Sequence, residues 1–331
     1  MPKSVFITKL LPEIGIEMLR KEGLNVTVSP NDLPIPQPKL IEIMKVHDAL
    51  ITVSSDKIDK HFLELNTHID IISQFAAGYD NIDTVEAGRL GVPIGNTPDA
   101  MTEATADTAF GLLLNVSRKM FFMHKTIEKG EWKYFKPKAH LGIELHNKTL
   151  GIFGMGRIGT AMARRCKGAY GMKIIYFNRN NNIEAEKELG AQKVSFHELL
   201  SQSDIISVHS VLSSDTLGIF NRDAFKQMKK SSIFINTARG GIHNETDLIE
   251  SLHNGEIWGA GLDVTNPEPM NPGNVLLSME NVAVLPHIGS ATVEARDAMS
   301  RMAAENIIEF YRGNKIPHLL NPESLKNRKS R

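Results

Sequence analysis

Residues Thr149–Gly159 read TLGIFGMGRIG, and this stretch decides the fold of the chain. A short apolar run, of the kind that a buried parallel strand needs, is followed by Gly154, Gly156 and Gly159 in the pattern G-x-G-x-x-G, and Thr160–Ala169 then predicts a helix. In a dinucleotide-binding turn the first glycine permits the tight turn, and the second lets the backbone approach the pyrophosphate. The third lets the helix pack closely on its strand.

The glycine pattern alone is a weak signal, because a chain with 25 glycines in 331 residues contains it by chance with a frequency of roughly 0.1–0.2. Its context is stronger. A second apolar strand, Lys173–Phe177, ends about 20 residues after the motif, where the ribose-reading residue of such a site belongs. The N–H groups at the start of the helix would face the pyrophosphate. We therefore interpret the stretch as a cofactor-binding turn that includes Arg157 and Ile158.

Composition and charge exclude several classes of function. The formal net charge is +0, with 41% hydrophobic and 23% charged residues, so we expect neither a nucleic acid nor a membrane surface as partner. Cys166 is the single cysteine, which excludes an intramolecular disulfide and a thiolate zinc cluster, and we expect no metal. No apolar run reaches the roughly 18–20 residues of a membrane span, and the start does not read as a signal peptide. We expect a cytoplasmic protein.

The rest of the chain alternates short apolar strands with helical segments, which is typical of parallel α/β folds. The strands predicted before the glycine motif are Ser4–Thr8, Asn25–Val28, Ala49–Val53 and Ile69–Ile72. Those predicted after it are Asp204–Val208, Ser232–Asn236, Gly259–Val264 and Val282–Pro286. Met101–Lys125 predicts one long helix, and Thr292–Arg312 a last helix that returns the chain to the first domain. The basic end, residues 326–331, predicts a frayed tail.

Three polar residues follow successive predicted strands: Arg239 after SIFINTA, Glu268 after AGLDVTNP and His287 after VAVLP. Open α/β sheets bind ligands at these carboxyl ends. An arginine offers a charged fork for a carboxylate. A histidine can exchange a proton near neutral pH, and a neighbouring carboxylate favours its protonated form. Taken singly, each residue has a simpler interpretation: Arg239 as a surface arginine, Glu268 as a loop glutamate and His287 as a capping histidine. Together they predict a catalytic set.

Two further segments leave alternatives open. Phe75–Asp83, reading FAAGYDNID, is either an anion-binding nest of backbone N–H groups or a plain turn. Gly130–Pro137 interrupts the helical pattern and carries Trp132 and Phe135. These two aromatic residues either line a substrate pocket, that of a partner subunit included, or pack under a loop.

The chain resembles the D-isomer-specific 2-hydroxyacid dehydrogenase family over nearly its whole length. Within that family it is most similar to the glyoxylate/hydroxypyruvate reductases and the 2-ketogluconate reductases. The resemblance rests on long, ordered motifs, namely AAGYDNID (Ala76–Asp83), TLGIFGMGRIG, INTARGG (Ile235–Gly241), GAGLDVTNPEP (Gly259–Pro269) and LPHIGSAT (Leu285–Thr292).

The resemblance implies a role for each matching residue. Arg239 would bind the substrate carboxylate and polarise the keto oxygen, while Glu268 would pair with His287, the proton donor. Ala77 and Gly78 would offer backbone N–H groups to the carboxylate. Asp263 and Thr108 would lie near the nicotinamide and its ribose, and further cofactor contacts would come from Thr237, Ala238, Arg239, His287 and Gly289.

The resemblance also implies an α/β fold of two Rossmann-like domains with parallel sheets, in which the substrate domain is discontinuous. We predict a substrate-binding domain at residues 1–99 and 288–331 and a dinucleotide-binding domain at residues 100–287. The family usually forms homodimers through its nucleotide domains, so we expect a homodimer.

The cofactor preference follows from the end of the second strand of the nucleotide domain. NAD-preferring sites place a carboxylate there to accept hydrogen bonds from the ribose hydroxyl groups. This chain has Asn178, Arg179 and Asn180 instead, and Arg179 can pair with a 2′-phosphate. We therefore predict NADPH as the preferred cofactor, with NADH possible.

We predict an NADPH-dependent reductase that converts small 2-keto acids such as glyoxylate, hydroxypyruvate or 2-ketogluconate to D-2-hydroxy acids. One alternative is a nucleotide-sensing corepressor, which long extensions or peptide motifs would favour. The other is an NAD-dependent enzyme similar to phosphoglycerate dehydrogenase, although no regulatory domain is apparent in the sequence.

Overall fold

The computed structural model describes residues 2–30 and 33–328, and the chain divides into two compact units. The first comprises Met1–Met101 with Ala291–Arg331, and the second comprises Thr102–Ser290. The unit boundaries therefore fall at 101/102 and 290/291 rather than at the predicted 99/100 and 287/288. Each unit contains one parallel sheet with helices on its faces, which confirms the predicted fold class.

The first unit is built on five strands and the helices around them. The strands are β1 (Ser4–Ile7), β2 (Asn25–Val28), β3 (Ala49–Thr52), β4 (Ile71–Gln74) and β5 (Ile94–Gly95). The helices are α1 (Glu13–Lys21), α2 (Gln37–Met44), α3 (Lys60–Leu65), α4 (Thr84–Leu90), α12 (Val293–Tyr311) and α13 (Ser324–Asn327). The strands lie in the order β2-β1-β3-β4-β5, all parallel.

Strands β3 and β4 are buried along their whole length, as expected of parallel strands covered on both faces. One face packs against α1 and α12, and the other against α2 to α4. Helix α12 approaches α1 closely because Gly15 has no side chain: a Cβ there would lie 2.3 Å from the Ser300 carbonyl oxygen. Ser300 Oγ donates to the Pro12 carbonyl at 2.7 Å. The predicted return of the last long helix to the first unit is confirmed.

The second unit is built on seven strands. They are β6 (Thr149–Phe153), β7 (Lys173–Phe177), β8 (Gln192–Lys193), β9 (Ile205–Val208), β10 (Ile233–Asn236), β11 (Gly259–Leu262) and β12 (Val282–Val284). The helices are α5 (Thr102–Arg118), α6 (Met120–Glu128), α7 (Arg157–Tyr170), α8 (Ile183–Leu189), α9 (Phe196–Gln202), α10 (Arg222–Gln227) and α11 (Glu245–His253). Short 3-10 helices occur at Gly240–Ile242 and Val275–Ser278.

The strand order of the second unit, β12-β11-β10-β9-β6-β7-β8, is that of a doubly wound dinucleotide-binding sheet. The chain runs outward from β6 in one direction through β7 and β8, and in the other through β9 to β12. The order therefore reverses between β6 and β9, and the glycine motif follows β6 at this point. Ligands of open α/β sheets bind at such a switch point.

The prediction of one helix over Met101–Lys125 was wrong, because the helix breaks at Lys119. This residue adopts a left-handed backbone conformation with φ 54° between α5 and α6. Its buried side chain places Nζ 2.6 Å from the Glu280 carboxylate and 5.1 Å from the centre of the Trp258 ring. Both partners are remote in sequence, so the helical pattern alone does not reveal the break.

Two other predicted boundaries change. The helix after the glycine motif begins at Arg157 rather than Thr160. The prediction of a frayed tail was wrong for its first residues, since Lys326 lies in α13 and Arg328 pairs with Asp70 at 2.6 Å. Residues 329–331 of that predicted tail lie outside the described residues. None of the helices in the described ranges is both long and apolar enough to cross a bilayer.

Candidate active site

The glycine turn after β6 has the geometry that its sequence predicts. Gly154 has φ 98°, and a Cβ there would lie 2.7 Å from the Ser210 amide nitrogen, in the loop that follows β9. A Cβ on Gly159 would lie 2.5 Å from the Gly154 carbonyl oxygen, so only glycine allows this packing of helix on strand. Gly156 differs, because a Cβ there would have no atom within 4 Å. This glycine therefore leaves open space at the start of α7.

These residues fit a dinucleotide. Gly156 is the N-cap of α7, and Arg157 and Ile158 begin the helix. The N–H groups of a first helical turn have no acceptor within the helix, and they lie at the positive end of its dipole. The turn lies at the switch point of the sheet, where dinucleotides bind. A nicotinamide cofactor bound there would supply the hydride.

The loop after β7 is tied to the glycine turn. Asn178 Oδ1 accepts a hydrogen bond from the Met155 amide at 3.0 Å, and Asn182 Nδ2 donates to the Met155 carbonyl at 2.9 Å. Asn178 thus holds the backbone of the turn, while Arg179 and Asn180 are exposed beside it. The exposed guanidinium, rather than the Asn178 amide, is the side chain best placed for a ligand.

Glu268 and His287 form a direct pair in the second unit. The distance from His287 Nδ1 to Glu268 Oε1 is 2.5 Å, and both side chains are partly exposed. Burial raises the pKa of Glu268, but the hydrogen bond and the positive charge of His287 outweigh this effect and bring the pKa below its ordinary value. Glu268 is therefore ionised at neutral pH and accepts the Nδ1 hydrogen, which leaves Nε2 of His287 for exchange with a substrate.

A buried clamp fixes the backbone of His287. This residue has φ 55°, a conformation that costs free energy for a residue with a side chain. Asp263 accepts hydrogen bonds from the next two amides, those of Ile288 and Gly289, each at 2.7 Å. Burial raises the pKa of Asp263 while the two amide bonds oppose that shift. On the other side, Thr105 Oγ1 donates to the Gly289 carbonyl at 3.0 Å.

The structure gives Asp263 and Thr105 a function that sequence reasoning missed. Asp263 is 1% exposed, and both of its carboxylate oxygens accept hydrogen bonds from the segment after His287. Its location near a nicotinamide stays a prediction. Thr108 was predicted as a cofactor residue, and its hydroxyl donates to the Ala104 carbonyl within α5 at 3.0 Å. The threonine that reaches the His287 segment lies one turn earlier, and no sequence pattern distinguishes the two.

Arg239 is positioned by its own loop after β10. Asn236 Nδ2 donates to the Arg239 carbonyl at 2.9 Å, and Asn236 Oδ1 accepts from the Ala238 amide at 3.0 Å. The same Nδ2 lies 3.0 Å from His243 Nδ1. Burial lowers the pKa of His243 to about 4, so its ring is neutral at pH 7 and Nδ1 accepts this hydrogen bond.

The Arg239 loop packs directly on the segment that carries Glu268. A Cβ on Gly240 would lie 1.9 Å from the Thr265 carbonyl oxygen, so glycine is required for this approach. The positive charge of Arg239 adds to that of His287 in lowering the pKa of Glu268. Thr237, two residues before Arg239, is buried beside the ring of His209. The three predicted catalytic residues are thus all held at the carboxyl edge of one sheet.

In the first unit, the loop after β4 is anchored through its carbonyl groups. Asn96 Nδ2 donates to the Ala77 carbonyl at 2.8 Å. Gln74 Nε2 donates to the Gly78 carbonyl at 3.2 Å and to Asn81 Oδ1 at 3.0 Å. Because the carbonyl oxygens are held from the protein side, the arrangement suits a loop that presents N–H groups to an anion. Gln74 and Asn96 were not identified in the sequence.

The aromatic loop between α6 and β6 lies at the surface of the protein. Trp132 and Phe135 are 73% and 84% exposed, so packing under a loop is wrong for them. The alternative, a role at a substrate pocket, stays a prediction.

Across residues 2–30 and 33–328, no cluster of three or more His, Cys, Asp or Glu side chains could hold a metal ion.

Comparisons with known proteins agree with this geometry. Residues 110–289 match the family described as D-isomer specific 2-hydroxyacid dehydrogenase, NAD binding domain. A glyoxylate reductase of Pyrococcus furiosus is 45% identical over 333 residues, which is 99% of this chain and 98% of that protein. A glyoxylate reductase of Thermococcus litoralis is 44% identical over 329 residues, or 98% of each chain. The chain belongs to the D-isomer specific 2-hydroxyacid dehydrogenase family.

A solved structure extends the likeness to the fold of this family. An NADPH-dependent glyoxylate/hydroxypyruvate reductase from Sinorhizobium meliloti, in complex with NADP and malonate, superposes with a TM-score of 0.85 at 28% identity, covering 100% of both chains. As a 2-hydroxyacid dehydrogenase, the protein is an NAD(P)-dependent oxidoreductase. The enzymatic interpretation of the sequence is confirmed, and the corepressor alternative is not needed to explain any feature of the site.

Proposed function

We propose that the protein is an NADPH-dependent reductase that converts small 2-keto acids to D-2-hydroxy acids. The observation that carries the proposal is the Glu268–His287 pair at the carboxyl edge of the nucleotide-type sheet. Reduction of a keto group requires a hydride at carbon and a proton at oxygen. A paired histidine at the carboxyl edge of the sheet that carries the cofactor turn supplies the second requirement.

Each residue of the set has a defined task in this proposal. Protonated His287 donates its Nε2 proton to the keto oxygen as the hydride reaches the carbon, and ionised Glu268 orients the ring and favours its charged form. Arg239 binds the substrate carboxylate and polarises the keto group. Ala77 and Gly78 are the proposed amide donors of the first unit to a substrate carboxylate. The first unit is accordingly the proposed substrate domain, and the second the proposed cofactor domain.

NADPH is the proposed cofactor because the loop after β7 lacks a carboxylate. An acidic residue at this place would repel the 2′-phosphate, whereas exposed Arg179 attracts it. The Sinorhizobium meliloti reductase, which binds NADP, is consistent with this choice. Among 2-keto acids, glyoxylate and hydroxypyruvate are the first candidates, because the relatives are glyoxylate and glyoxylate/hydroxypyruvate reductases. 2-Ketogluconate is the third candidate.

The test is a set of initial rates for the purified protein with NADPH and with NADH across glyoxylate, hydroxypyruvate, 2-ketogluconate and pyruvate. A His287→Gln variant prepared in parallel controls for contaminating reductases. We expect wild-type turnover of at least one of the first three acids, faster with NADPH, and loss of that turnover in the variant. Equal rates for wild type and variant would refute the proposal.

The proposal includes two properties of the whole protein. We propose a homodimer, which sedimentation of the purified protein at micromolar concentration tests by its mass. We also propose a cytoplasmic location, which suits a protein whose single cysteine, Cys166, is buried within α7. Burial raises the pKa of that thiol to about 12, so it does not contribute reactive thiolate at neutral pH.

A further inference from the structure

Lys193 lies at the end of the edge strand β8, beside the loop that follows β7. The two strands pair in parallel with Tyr176 opposite Lys193, so the lysine is level with the end of its neighbour. Its exposed side chain reaches over that end. Nζ donates to the Arg179 carbonyl at 2.9 Å and to Asn181 Oδ1 at 3.1 Å. One cation therefore holds the backbone on which Arg179 sits.

Glu186, the acidic residue in the same network, accepts hydrogen bonds from two other side chains. Glu186 Oε1 accepts the Tyr176 hydroxyl at 2.6 Å and the Asn181 amide at 3.3 Å. The two oxygen atoms bound to Lys193 are an uncharged carbonyl and an uncharged amide. The ammonium charge is thus not cancelled by its own hydrogen-bond partners, and it adds to the guanidinium charge at one loop.

We infer that Lys193 is a second residue that selects NADPH over NADH. The inference rests on the proposed function, in which Arg179 meets the 2′-phosphate. Lys193 acts in two ways. It fixes the Arg179 backbone so that the guanidinium faces the 2′-phosphate. It also adds a positive charge that attracts the dianionic phosphate and has little effect on an uncharged ribose hydroxyl. A group that acts on the phosphate alone changes the affinity for NADPH and leaves that for NADH unchanged.

Lys193→Met tests this inference, because methionine keeps most of the apolar stem and removes the ammonium group. Binding is measured by titrating the fluorescence of NADPH and of NADH with protein, without substrate. We expect the Kd for NADPH to rise about fivefold to tenfold, since the charge is exposed and partly screened, while the Kd for NADH stays within about twofold. Lys193→Arg, which keeps the charge, should restore most of the affinity for NADPH.

Lys173→Met is the matched control. Lys173 begins β7, at the opposite end of the neighbouring strand, and it is likewise exposed. The substitution changes the net charge by the same amount, so a non-specific effect of charge would appear in both variants. We expect both dissociation constants to stay at wild-type values in Lys173→Met.

A double variant separates positioning from a simple sum of charges. If Lys193 acts partly through Arg179, the loss of NADPH affinity in Arg179→Met/Lys193→Met is smaller than the product of the two single losses.

The inference is overturned if Lys193→Met leaves the NADPH affinity unchanged or weakens the binding of both cofactors equally, while wild type prefers NADPH and Arg179→Met reduces that preference. In that case the proposed function stands. Wild-type protein that binds NADH at least as tightly as NADPH would overturn both the inference and the cofactor proposed above.

Discussion

At the scale of single residues, buried groups hold the backbone beside His287, the proposed proton donor. His287 occupies an unfavourable backbone conformation, and Asp263 maintains it by accepting hydrogen bonds from the two following amides. The strain is local and the support is buried, which is how active sites keep a side chain in one orientation. The position of the imidazole therefore depends on an acidic residue that the sequence assigned to the cofactor.

Asp263→Asn tests this dependence. Asparagine keeps the size of the side chain but has one carbonyl oxygen, so one of the two amides loses its acceptor and faces another N–H donor. We expect kcat for keto-acid reduction to fall about tenfold or more, because small displacements of a reacting group are costly. The Kd for NADPH should change by less than about threefold. A variant with wild-type kcat and an unchanged thermal midpoint would show that the clamp is dispensable.

Arg179 is the residue on which cofactor preference depends in our proposal. Arg179→Asp replaces a cation by an anion at the place where NAD-binding sites carry a carboxylate. We expect KM for NADPH to rise at least about tenfold, as the loss of a charge-assisted bond of roughly 1.5–3 kcal/mol implies. Use of NADH should improve at the same time. Unchanged discrimination between the two cofactors would mean that the 2′-phosphate is recognised elsewhere or not at all.

At the scale of elements, an ion pair helps to hold the segment after α13 within the first unit. Arg328, one residue after α13, donates to the Asp70 carboxylate and to the Asp70 carbonyl, each at 2.6 Å. The guanidinium also lies 4.6 Å from the centre of the Phe310 ring, near the end of α12. Asp70 has a second cationic partner in Lys3 at 2.7 Å. Lys3 and Arg328, which are remote in sequence, thus share one buried carboxylate.

Arg328→Met should destabilise the protein, because it leaves the nearly buried Asp70 with fewer partners. Removal of one member of a buried pair is costly, and the remaining bond to Lys3 reduces the loss to about 1–3 kcal/mol. The measurement is the urea midpoint followed by circular dichroism. Arg20→Met is the control, since the Arg20–Glu13 pair is about half exposed on both sides and should contribute less than about 1 kcal/mol. Equal midpoints for the two variants would contradict the argument.

The elements also show where sequence patterns stop being informative. Fully buried, largely apolar strands such as β9 and β10 were predictable, since strands buried on both faces need no alternation. The break between α5 and α6 was not, because Lys119 is held by Glu280 and Trp258 from another part of the chain. The edge strand β8 has two exposed residues and carries no periodic signal, yet it places Lys193.

At the scale of the whole molecule, the fold class could be read from the sequence, and so could the grouping of the candidate catalytic residues after neighbouring strands. Glycines, charged residues after strands and their order are local features, and the structure holds Arg239, Glu268 and His287 at one sheet edge. The supporting residues could not be read, because their function lies in a single long-range hydrogen bond. Thr105 and Asn96 are examples, since each is an ordinary polar residue until the fold brings a carbonyl group to it.

The most direct test of the account is the pH dependence of kcat/KM for 2-keto-acid reduction in wild type and in Glu268→Gln. The Glu268 carboxylate lies 2.5 Å from Nδ1 of His287, and a negative charge in contact with an imidazole stabilises the protonated ring. Glutamine keeps the shape and a hydrogen-bond acceptor but removes the charge. Reduction needs the protonated histidine, so the limb along which the rate falls with rising pH should move to lower pH in the variant. An unmoved limb, or one moved to higher pH, in a variant that folds and binds NADPH would contradict the account.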